Sequence, residues 1–145
     1  MEVKVKKLAE NAVIPQYAHD TDAGLDLTAT SVESDSYGNI VYHTGLAFEI
    51  PCGYVGYIFP RSSLSKYNLR LTNCVGVIDS GFRGEVLFKF EAKDKHSIEI
   101  YHVGDRIGQM IIMPYPKINL VESDELSDSD RGDGGFGSTD KKREV

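Results

Sequence analysis

Charged and amide side chains enter two otherwise apolar segments of this chain. Asp26 lies between leucines in Ala23-Gly24-Leu25-Asp26-Leu27, and Arg106 and Gln109 follow a turn in Gly104-Asp105-Arg106-Ile107-Gly108-Gln109. A carboxylate beside a core needs a partner, because an unpaired buried charge is costly. Two interpretations stay open. Asp26 and Arg106 form a structural ion pair, or Asp26 supports a magnesium shell while Gln109 donates to a phosphate oxygen or to an attacking water.

A corner with the sequence Pro60-Arg61-Ser62-Ser63 follows the apolar segment that ends at Phe59. Proline removes a backbone donor and ends a strand. The residues from Ser63 to Tyr67 are the best candidate for a short helix, and a serine can cap it. The same geometry suits a phosphate, because a helix N-terminus offers free N–H groups beside Arg61. The structural and the functional interpretation are compatible here.

A hairpin is predicted around the turn Ser80-Gly81, between a mostly apolar arm that ends at Asp79 and a return strand that begins with Phe82 and continues through Leu87. The two arms would form a slot in which backbone groups near Val77 hydrogen-bond the edge of a base. An aspartate at the mouth of this slot could orient or deprotonate a water. The alternative is a plain hairpin in which Asp79 is an ordinary turn residue.

Glycine dominates the run from Arg131 to Thr139, which also contains one arginine, one aromatic ring and two hydroxyls. Such a run holds neither a helix nor a sheet interior. It is either a solvated terminus or a flexible arm that closes over a ligand with a flat face and a phosphate tail. The acidic segment 122–130 before it is too polar to fold alone. We therefore expect a folded domain at 1–121 and a flexible acidic linker with a glycine-rich arm at 122–145.

Strands are expected to position these clusters, because residues alternate with period two in six segments. Turn signals separate the segments regularly, which is typical of an antiparallel sandwich or barrel. The predicted fold class is therefore all-β. The alternating residues are Val3 and Val5; Leu46, Phe48 and Ile50; Val55, Tyr57 and Phe59; Val86, Phe88 and Phe90; Ile98 and Ile100; and Ile107, Gln109, Ile111 and Met113.

A chain of 145 residues with 41% hydrophobic residues and a net charge of −6 fits one globular domain. The charge disfavours broad nucleic-acid binding, which needs a basic face. No apolar run approaches the ~20 residues of a membrane span, and the N-terminus lacks the apolar core of a secretory signal. We expect a cytoplasmic protein with no nucleic-acid or membrane partner. Its thiols, Cys52 and Cys74, should be reduced, and its scattered histidines make a tightly held zinc improbable.

Taken in order, the five clusters resemble the five motifs of the trimeric dUTP pyrophosphatase family, and the resemblance covers nearly the whole chain. It implies a jelly-roll-like β-barrel subunit, assembled as a homotrimer whose active sites are shared between subunits. It implies hydrolysis of dUTP to dUMP and pyrophosphate with Mg2+, which keeps uracil out of DNA and supplies dUMP for thymidylate synthesis. The matching stretches are Ala23 to Leu27, Pro60 to Ser63, Gly76 to Asp79 with Arg83-Gly84, Gly104 to Gln109, and Arg131 to Thr139.

The resemblance also implies a role for each matching residue. Asp79 would activate the water that attacks the α-phosphorus, and Phe82 would leave no space for a 2′-hydroxyl. Asp26 would act through water or by orienting Arg106, with Mg2+ held mainly by substrate phosphates. Asn73, Gly76, Val77, Ile78 and Leu87 would line the uracil slot; Arg61, Ser62, Ser63 and Gln109 would hold phosphates; Phe136 would stack on uracil, and Arg131, Gly137, Ser138 and Thr139 would clasp the β- and γ-phosphates.

Three positions depart from the pattern of the family. Phe82 stands where tyrosine is usual, Gly108 where alanine is frequent and Asp140 where glycine is common. We expect the Phe82 ring still to exclude ribose, the exchange at Gly108 to matter little, and the charge of Asp140 to weaken closure of the arm. Two other functions are alternatives: a dCTP deaminase on the related fold, which would need a glutamate base, and a regulatory protein that responds to nucleotide occupancy.

Overall fold

The computed structural model describes residues 1–94 and 99–136, in which short antiparallel strands are the main regular elements. A 3-10 helix at Ser62–Lys66 lies between two of the strands. The strands are β1 (Lys4–Lys7), β2 (Leu25–Thr28), β3 (Ser31–Ser34), β4 (Ile40–His43), β5 (Leu46–Glu49), β6 (Tyr54–Phe59), β7 (Leu69–Leu71), β8 (Gly76–Ile78), β9 (Leu87–Ala92) and β10 (Arg106–Pro114).

Two four-stranded sheets hold most of these strands. The first has the order β2-β10-β6-β8 and the second the order β3-β4-β9-β7, while β1 pairs with β5. Every ladder is antiparallel. From β6 onward, successive strands alternate between the two sheets, which is a jelly-roll-like connectivity. The all-β architecture predicted from the period-two pattern is therefore confirmed.

Aromatic rings fill the core between the two four-stranded sheets. Tyr42 and Phe90 meet edge to face with ring centroids 5.7 Å apart, and Tyr101 packs against both. The Tyr42 hydroxyl donates to the backbone carbonyl of Tyr101 at 2.8 Å, so its polar tip is satisfied inside the core. Burial raises the pKa of Tyr42 to about 12. Aliphatic residues from both sheets complete the core: Leu27, Ile58, Leu69, Leu71, Ile107 and Met110.

Gly108 allows β10 to approach the core closely. The ring of Phe88 lies against its backbone, and a β-carbon at Gly108 would come within 2.9 Å of Cδ1 of Phe88 and nearer still to two other ring atoms. Phe88 is fully buried, so its ring has no free space into which it could withdraw. An alanine here would therefore need the Phe88 ring to move, while the expectation that glycine at this position matters little for function stays a prediction.

Five of the six predicted strands are present, as β1, β5, β6, β9 and β10. The sixth is not confirmed: Ile98 lies outside the described residues, and Glu99 and Ile100 belong to no strand. The predicted turns near Gly38, Gly53 and Gly104 are present, each with its glycine at positive φ. The strands β2, β3, β4 and β7 were not among the predicted segments, whereas β8 lies within the apolar arm predicted before the Ser80-Gly81 turn.

The hairpin predicted around Ser80-Gly81 is wrong. A turn is present, with the Phe82 N–H donating to the Asp79 carbonyl at 3.0 Å. However, β8 pairs with β6, whereas β9 pairs with β4 and β7 in the other sheet. Phe82 begins no strand, and β9 starts at Leu87. The chain crosses between sheets here because β9 must bring its buried phenylalanines to the core from the opposite side.

The segment after β10 leaves the two sheets. Residues 115–136 form no strand, and the large apolar side chains of Ile118, Leu120 and Val121 are exposed. In the part of the chain that the structure describes, no helix has the length and apolarity needed to cross a bilayer. Both cysteines, Cys52 and Cys74, are free and exposed.

Candidate active site

Two arginines from different elements hold the Asp26 carboxylate. Arg61 Nε donates to Oδ1 at 2.8 Å, and Arg106 Nη1 donates to Oδ2 at 3.1 Å. The side chains of Asp26 and Arg61 are only 24% and 25% exposed. Charge-assisted hydrogen bonds are stronger than neutral ones. The structural pair of Asp26 and Arg106 considered from the sequence is therefore present, and it extends to Arg61.

A β-bulge places Arg106 on the same face of the sheet as Asp26. In the ladder between β10 and β2, Gln109 lies opposite Asp26 and Arg106 lies opposite Thr28, with a register shift just after Arg106. Side chains alternate along a strand, so residues three apart normally point to opposite faces. The extra residue at Ile107 corrects this difference. Asp26, Arg106 and Gln109 consequently share one face.

The Gln109 amide is fixed between two loops. Its Nε2 donates to the Pro60 carbonyl at 3.0 Å. Its Oε1 lies so close to Gly24 that a β-carbon there would collide with it. Gln109 therefore joins the corner before the 3-10 helix to the loop before β2. No local pattern in the sequence predicts this contact between Gly24 and the Gln109 amide.

The 3-10 helix Ser62–Lys66 differs from the predicted helix. Arg61 is its N-cap residue and no side chain caps it, so the predicted serine cap is wrong. The Ser63 hydroxyl instead accepts a hydrogen bond from Arg61 Nη1 at 3.3 Å, and Ser62 is exposed. A 3-10 helix this short aligns too few peptide dipoles to attract an anion strongly. The groups that remain for a phosphate are the Arg61 guanidinium and the two hydroxyls.

Arg61 and Ser62 line a polar cleft of about 330 Å³ together with Asp26 and Gln109. A cleft of this size is at the lower end of the range for small-ligand sites. The lining combines the Arg61 guanidinium and the Ser62 hydroxyl with the paired carboxylate of Asp26 and a second carboxylate, that of Asp22. Its donors suit an anionic ligand. Its walls include Gly24, Asp26, Arg61, Ser62, Gln109 and Ile111.

Strand β8 presents the residues predicted to bind a base. Within the described residues it is an edge strand, with Gly76 opposite Ile58 and Val77 opposite Tyr57. Val77 is 59% exposed, and Asn73 is exposed in the turn before the strand. An edge strand leaves backbone donors and acceptors unpaired on its outer side. Such groups can form hydrogen bonds of the kind that a base edge needs.

Asp79 follows β8 and carries an exposed carboxylate. Across residues 1–94 and 99–136, no side chain or N–H donates to that carboxylate. The loop is braced through its backbone instead: Arg83 Nη1 donates to the carbonyls of Ser80 and Phe82 at 2.7 and 2.8 Å. The Asp79 carboxylate is thus available to a ligand or a water.

Glu85 anchors the end of this loop to the sheets. Its Oε1 accepts from the Gly45 N–H at 2.7 Å, and its Oε2 lies 2.9 Å from His43 Nδ1. The other ring nitrogen of His43 lies 3.3 Å from Glu33 Oε1. Hydrogen bonding to Glu85 raises the pKa of His43 against the opposing effect of burial, and Glu33 adds to the rise. The sequence analysis missed this anchor, because its partners are distant in the chain.

The two groups of candidate residues lie at opposite edges of one sheet. In the order β2-β10-β6-β8, Asp26 belongs to β2 and Asp79 follows β8. Three strand spacings amount to roughly 14 Å. The Asp26 cleft of a single chain therefore does not include Asp79. Leu87 lies in the other sheet, where it begins β9 opposite His43.

Arg131 and Phe136 lie on the exposed C-terminal segment. Arg131 Nε donates to the Gly134 carbonyl at 2.9 Å, and the Phe136 side chain is fully exposed. The other arm residues with predicted roles lie outside the described residues: Gly137, Ser138, Thr139 and Asp140.

The cleft offers magnesium few oxygen ligands from the protein. Arginines occupy both oxygens of Asp26. In the described ranges, no three His, Cys, Asp or Glu side chains are grouped to hold a metal. Mg2+ is commonly bound through substrate phosphates and water, with one or two carboxylates. The residues present therefore fit an ion that is held mainly by a polyphosphate.

Proteins called deoxyuridine 5′-triphosphate nucleotidohydrolase match this chain along nearly its full length. The protein of that name from Crocosphaera subtropica is 42% identical over 141 residues, which are 96% of this chain and 99% of the relative. The one from a Hydrogenobaculum species is 41% identical over 146 residues, with coverage of 98% and 100%.

Solved structures of phage dUTPases share the fold. A point variant of the Staphylococcus bacteriophage 80alpha dUTPase with dUpNHpp gives a TM-score of 0.80 at 28% identity, over 95% of this chain and 98% of that one. A variant of the dUTPase from phage phi11 of S. aureus, which coordinates a structural Mg(II) ion, gives 0.73 at 27% identity, over 87% and 99%. The dUTPase family model itself matches residues 10–140. The resemblance seen in the five clusters is confirmed: the chain belongs to the dUTPase family.

Proposed function

We propose that this protein hydrolyses dUTP to dUMP and pyrophosphate. The observation that carries the proposal is the contrast between two carboxylates. Asp26 is held by arginines beside a polar cleft, and Asp79, which follows an edge strand, has no hydrogen-bond partner among the residues that the structure describes. The first arrangement positions positive charge for phosphates, and the second leaves a base for a water. Relatives are dUTP nucleotidohydrolases. In a cell, the reaction would keep uracil out of DNA and supply dUMP for thymidylate synthesis.

The triphosphate would bind Arg61, Ser62, Ser63 and Gln109. Asp26 holds Arg61 through Nε, and Nη1 of the same guanidinium donates to the Ser63 hydroxyl, so the group is fixed beside the cleft. Charge develops on phosphate oxygens as the bond to the leaving group breaks. Donors that are fixed before the reaction stabilise that charge without reorganising. The bonds of Gln109 and Asp26 to neighbouring elements support this role.

The nucleoside would bind along β8 and the loop that follows it. Asp79 would position the water for in-line attack on the α-phosphorus, accept its proton and contact the 3′-hydroxyl of the sugar. Backbone groups of the edge strand would hydrogen-bond uracil in a slot too tight for the thymine methyl. Phe82 would lie against the deoxyribose. The slot would be lined by Asn73, Gly76, Val77, Ile78 and Leu87.

Magnesium is the cofactor in this proposal, held mainly by the phosphates of the substrate. When bound, Mg2+ would neutralise phosphate charge and orient the oxygens. The magnesium ion of the phage phi11 enzyme supports a place for this metal in the family. Asp26 would contribute through water, because its oxygens already accept from Arg61 and Arg106.

A homotrimer with shared sites would bring the two halves together. The roughly 14 Å of sheet between them in one chain supports a site completed by a neighbouring subunit, as closed symmetric assemblies allow. The exposed apolar residues Ile118, Leu120 and Val121 support a contact surface after β10. Sedimentation equilibrium should give three times the monomer mass of 16.1 kDa.

Residues 1–121 would form the catalytic domain, and 122–145 a flexible acidic linker and arm that closes the site. Phe136 would stack on uracil, and its full exposure leaves the ring available. Closure would exclude water other than the nucleophile. The β- and γ-phosphates would be clasped by Arg131, Gly137, Ser138 and Thr139.

Pyrophosphate release from a panel of nucleotides tests this proposal. The full-length protein with Mg2+ should hydrolyse dUTP far faster than dTTP, dCTP or UTP, and chelation of the metal should stop the reaction. Equal rates on the four nucleotides would contradict the proposed specificity. Release of ammonia from dCTP would instead indicate the deaminase alternative.

A further inference from the structure

The ring of Phe82 folds back onto the backbone of Gly84. A β-carbon built on Gly84 would lie 2.6 Å from Cζ, 2.9 Å from Cε2 and 3.4 Å from Cε1 of Phe82. Outside residues 83–85, these ring atoms are the three nearest heavy atoms to that position. The outer edge of the ring therefore covers the Gly84 Cα, although Phe82 remains 42% exposed.

The backbone beneath the ring is fixed by other groups. The Phe82 N–H donates to the Asp79 carbonyl at 3.0 Å. Arg83 Nη1 donates to the carbonyls of Ser80 and Phe82 at 2.7 and 2.8 Å. None of these bonds involves the ring. The orientation of the Phe82 ring consequently depends on its contact with the backbone of Gly84. A half-exposed side chain without such a contact would sample other rotamers.

We propose that Gly84 is a positioning residue that sets the sugar selectivity of the enzyme by seating the Phe82 ring. The inference rests on the proposed function, in which this ring lies against the deoxyribose. A seated ring presents a fixed wall to the 2′ carbon. A methyl group at Gly84 would push the ring out of its seat, since overpacking displaces side chains. The wall would then move, and space for a 2′-hydroxyl would open.

Gly81 provides a matched control in the same loop. A β-carbon at Gly81 would meet nothing within 4 Å. Neither Gly81 nor Gly84 has a φ in the left-handed region, so the backbone accepts alanine at both positions. The two substitutions therefore differ in the contact with the ring of Phe82.

The test is the steady-state kinetics of the full-length protein with Mg2+ on dUTP and UTP. We expect Gly84→Ala to raise the ratio of kcat/KM for UTP to that for dUTP about tenfold, mainly through KM. Gly81→Ala should leave the ratio unchanged. An unchanged ratio in Gly84→Ala, or the same change in both variants, overturns the inference. If the wild-type protein does not prefer dUTP to UTP, that result contradicts the proposed function itself.

A Phe82→Ala background separates ring seating from general damage to the loop. Once the ring is gone, a methyl group at Gly84 has nothing to displace. Adding Gly84→Ala to Phe82→Ala should then change neither the substrate ratio nor the midpoint of thermal unfolding. If Gly84→Ala alone does not fold, recovery of folding in the double variant supports the seat. A double variant as damaged as the single one overturns it.

Discussion

The Asp26 cleft and the Asp79 loop hold their carboxylates in opposite ways. Asp26 accepts hydrogen bonds from two arginines and lies opposite Gln109 in a ladder. Asp79 lies on a loop that Arg83 braces through backbone carbonyls, and its carboxylate has no partner in the described ranges. A neutralised carboxylate orients the groups around it, whereas an unneutralised one can take a proton. The same functional group therefore suits two tasks.

Secondary structure accounts for this difference. Asp26 lies within β2, where pairing with β10 fixes the face and distance of each neighbour. Asp79 lies where the chain crosses from one sheet to the other, so no adjacent strand supplies a partner. Reactive groups on loops that rigid elements carry are common in enzymes. Glu85 supplies the rigid end of this loop through Gly45 and His43.

The largest effect is expected at Asp79, since loss of the proposed base should remove catalysis and little else. Asp79→Asn should lower kcat for dUTP by about 10³-fold. The midpoint of thermal unfolding should stay the same, because the carboxylate makes no described contact. Pyrophosphate release and thermal melts measure the two effects.

Asp20→Asn is the matched control for this change, because Asp20 is an exposed aspartate outside the proposed site. It should alter neither kcat nor stability. Near-normal turnover of Asp79→Asn would show that the unpartnered carboxylate is not the base.

Removal of the C-terminal arm tests whether catalysis at the exposed Asp79 loop requires the arm to close over the substrate. A chain that ends at Asp130 should keep its fold and assembly, because the described hydrogen bond of Arg131 goes to Gly134 within the arm. Its kcat/KM for dUTP should fall by about 10²-fold, as expected when substrate is no longer held in the reactive geometry. Phe136→Ala should give a smaller loss in the same assay. Full activity of the shortened chain would reduce the arm to a tail.

Asp26→Asn should affect stability and activity together, in contrast to Asp79→Asn. Loss of charge at Asp26 weakens its bonds to both Arg61 and Arg106, and we expect the free energy of unfolding to fall by about 2 kcal/mol. Activity should fall about tenfold, because a freed Arg61 must be ordered by the substrate. Urea denaturation and dUTP kinetics provide the measurements.

The comparison for Asp26→Asn is Glu91→Gln, which breaks an ion pair with Arg70 whose partners are 52% and 67% exposed. Exposed pairs contribute less than about 1 kcal/mol, so this variant should be almost as stable as wild type. An equal loss of unfolding free energy in both variants would show that the ion pairs of Asp26 stabilise the fold no more than an exposed surface pair does.

The smallest effect is expected at the anchor of the loop. The raised pKa of His43 beside Glu85 means that protonation stabilises the fold. This contribution is complete below the unfolded-state pKa of about 6.5 and is lost as the pH rises through the folded-state value. The difference in unfolding free energy between wild type and His43→Gln should be less than about 1 kcal/mol, present at pH 6 and absent at pH 9. A difference that grows with pH would contradict the assignment.

The sequence was sufficient to predict the antiparallel class and most of the longer strands. It also predicted the polar residues of the cleft, because Asp26 and Arg106 interrupt apolar patterns. Alternation alone, however, puts Arg106 and Gln109 on opposite faces of β10. The bulge at Ile107 that unites them has no local signature, since it depends on pairing with a distant strand.

The crossing after Asp79 could not be predicted for a similar reason. A Ser-Gly turn between apolar segments has the composition of a hairpin, and only the competition among sheets for partners decides that β8 joins β6. The hydrogen bonds that Arg83 and Glu85 make in the following loop depend on this pairing of β8 with β6. Local patterns thus predict which residues carry chemistry, while long-range pairing determines which of them meet.

The backbone of Gly108 and the ring of Phe88 share one volume in the core, so we expect substitutions at these two positions to depend on each other. We expect the protein to tolerate Gly108→Ala only after a smaller residue such as leucine has replaced Phe88. The order of the two substitutions therefore matters. Homologous chains with alanine at the position of Gly108 should carry a smaller side chain at the position of Phe88. A consensus design that copied the alanine alone would force apart the two sheets that position the site.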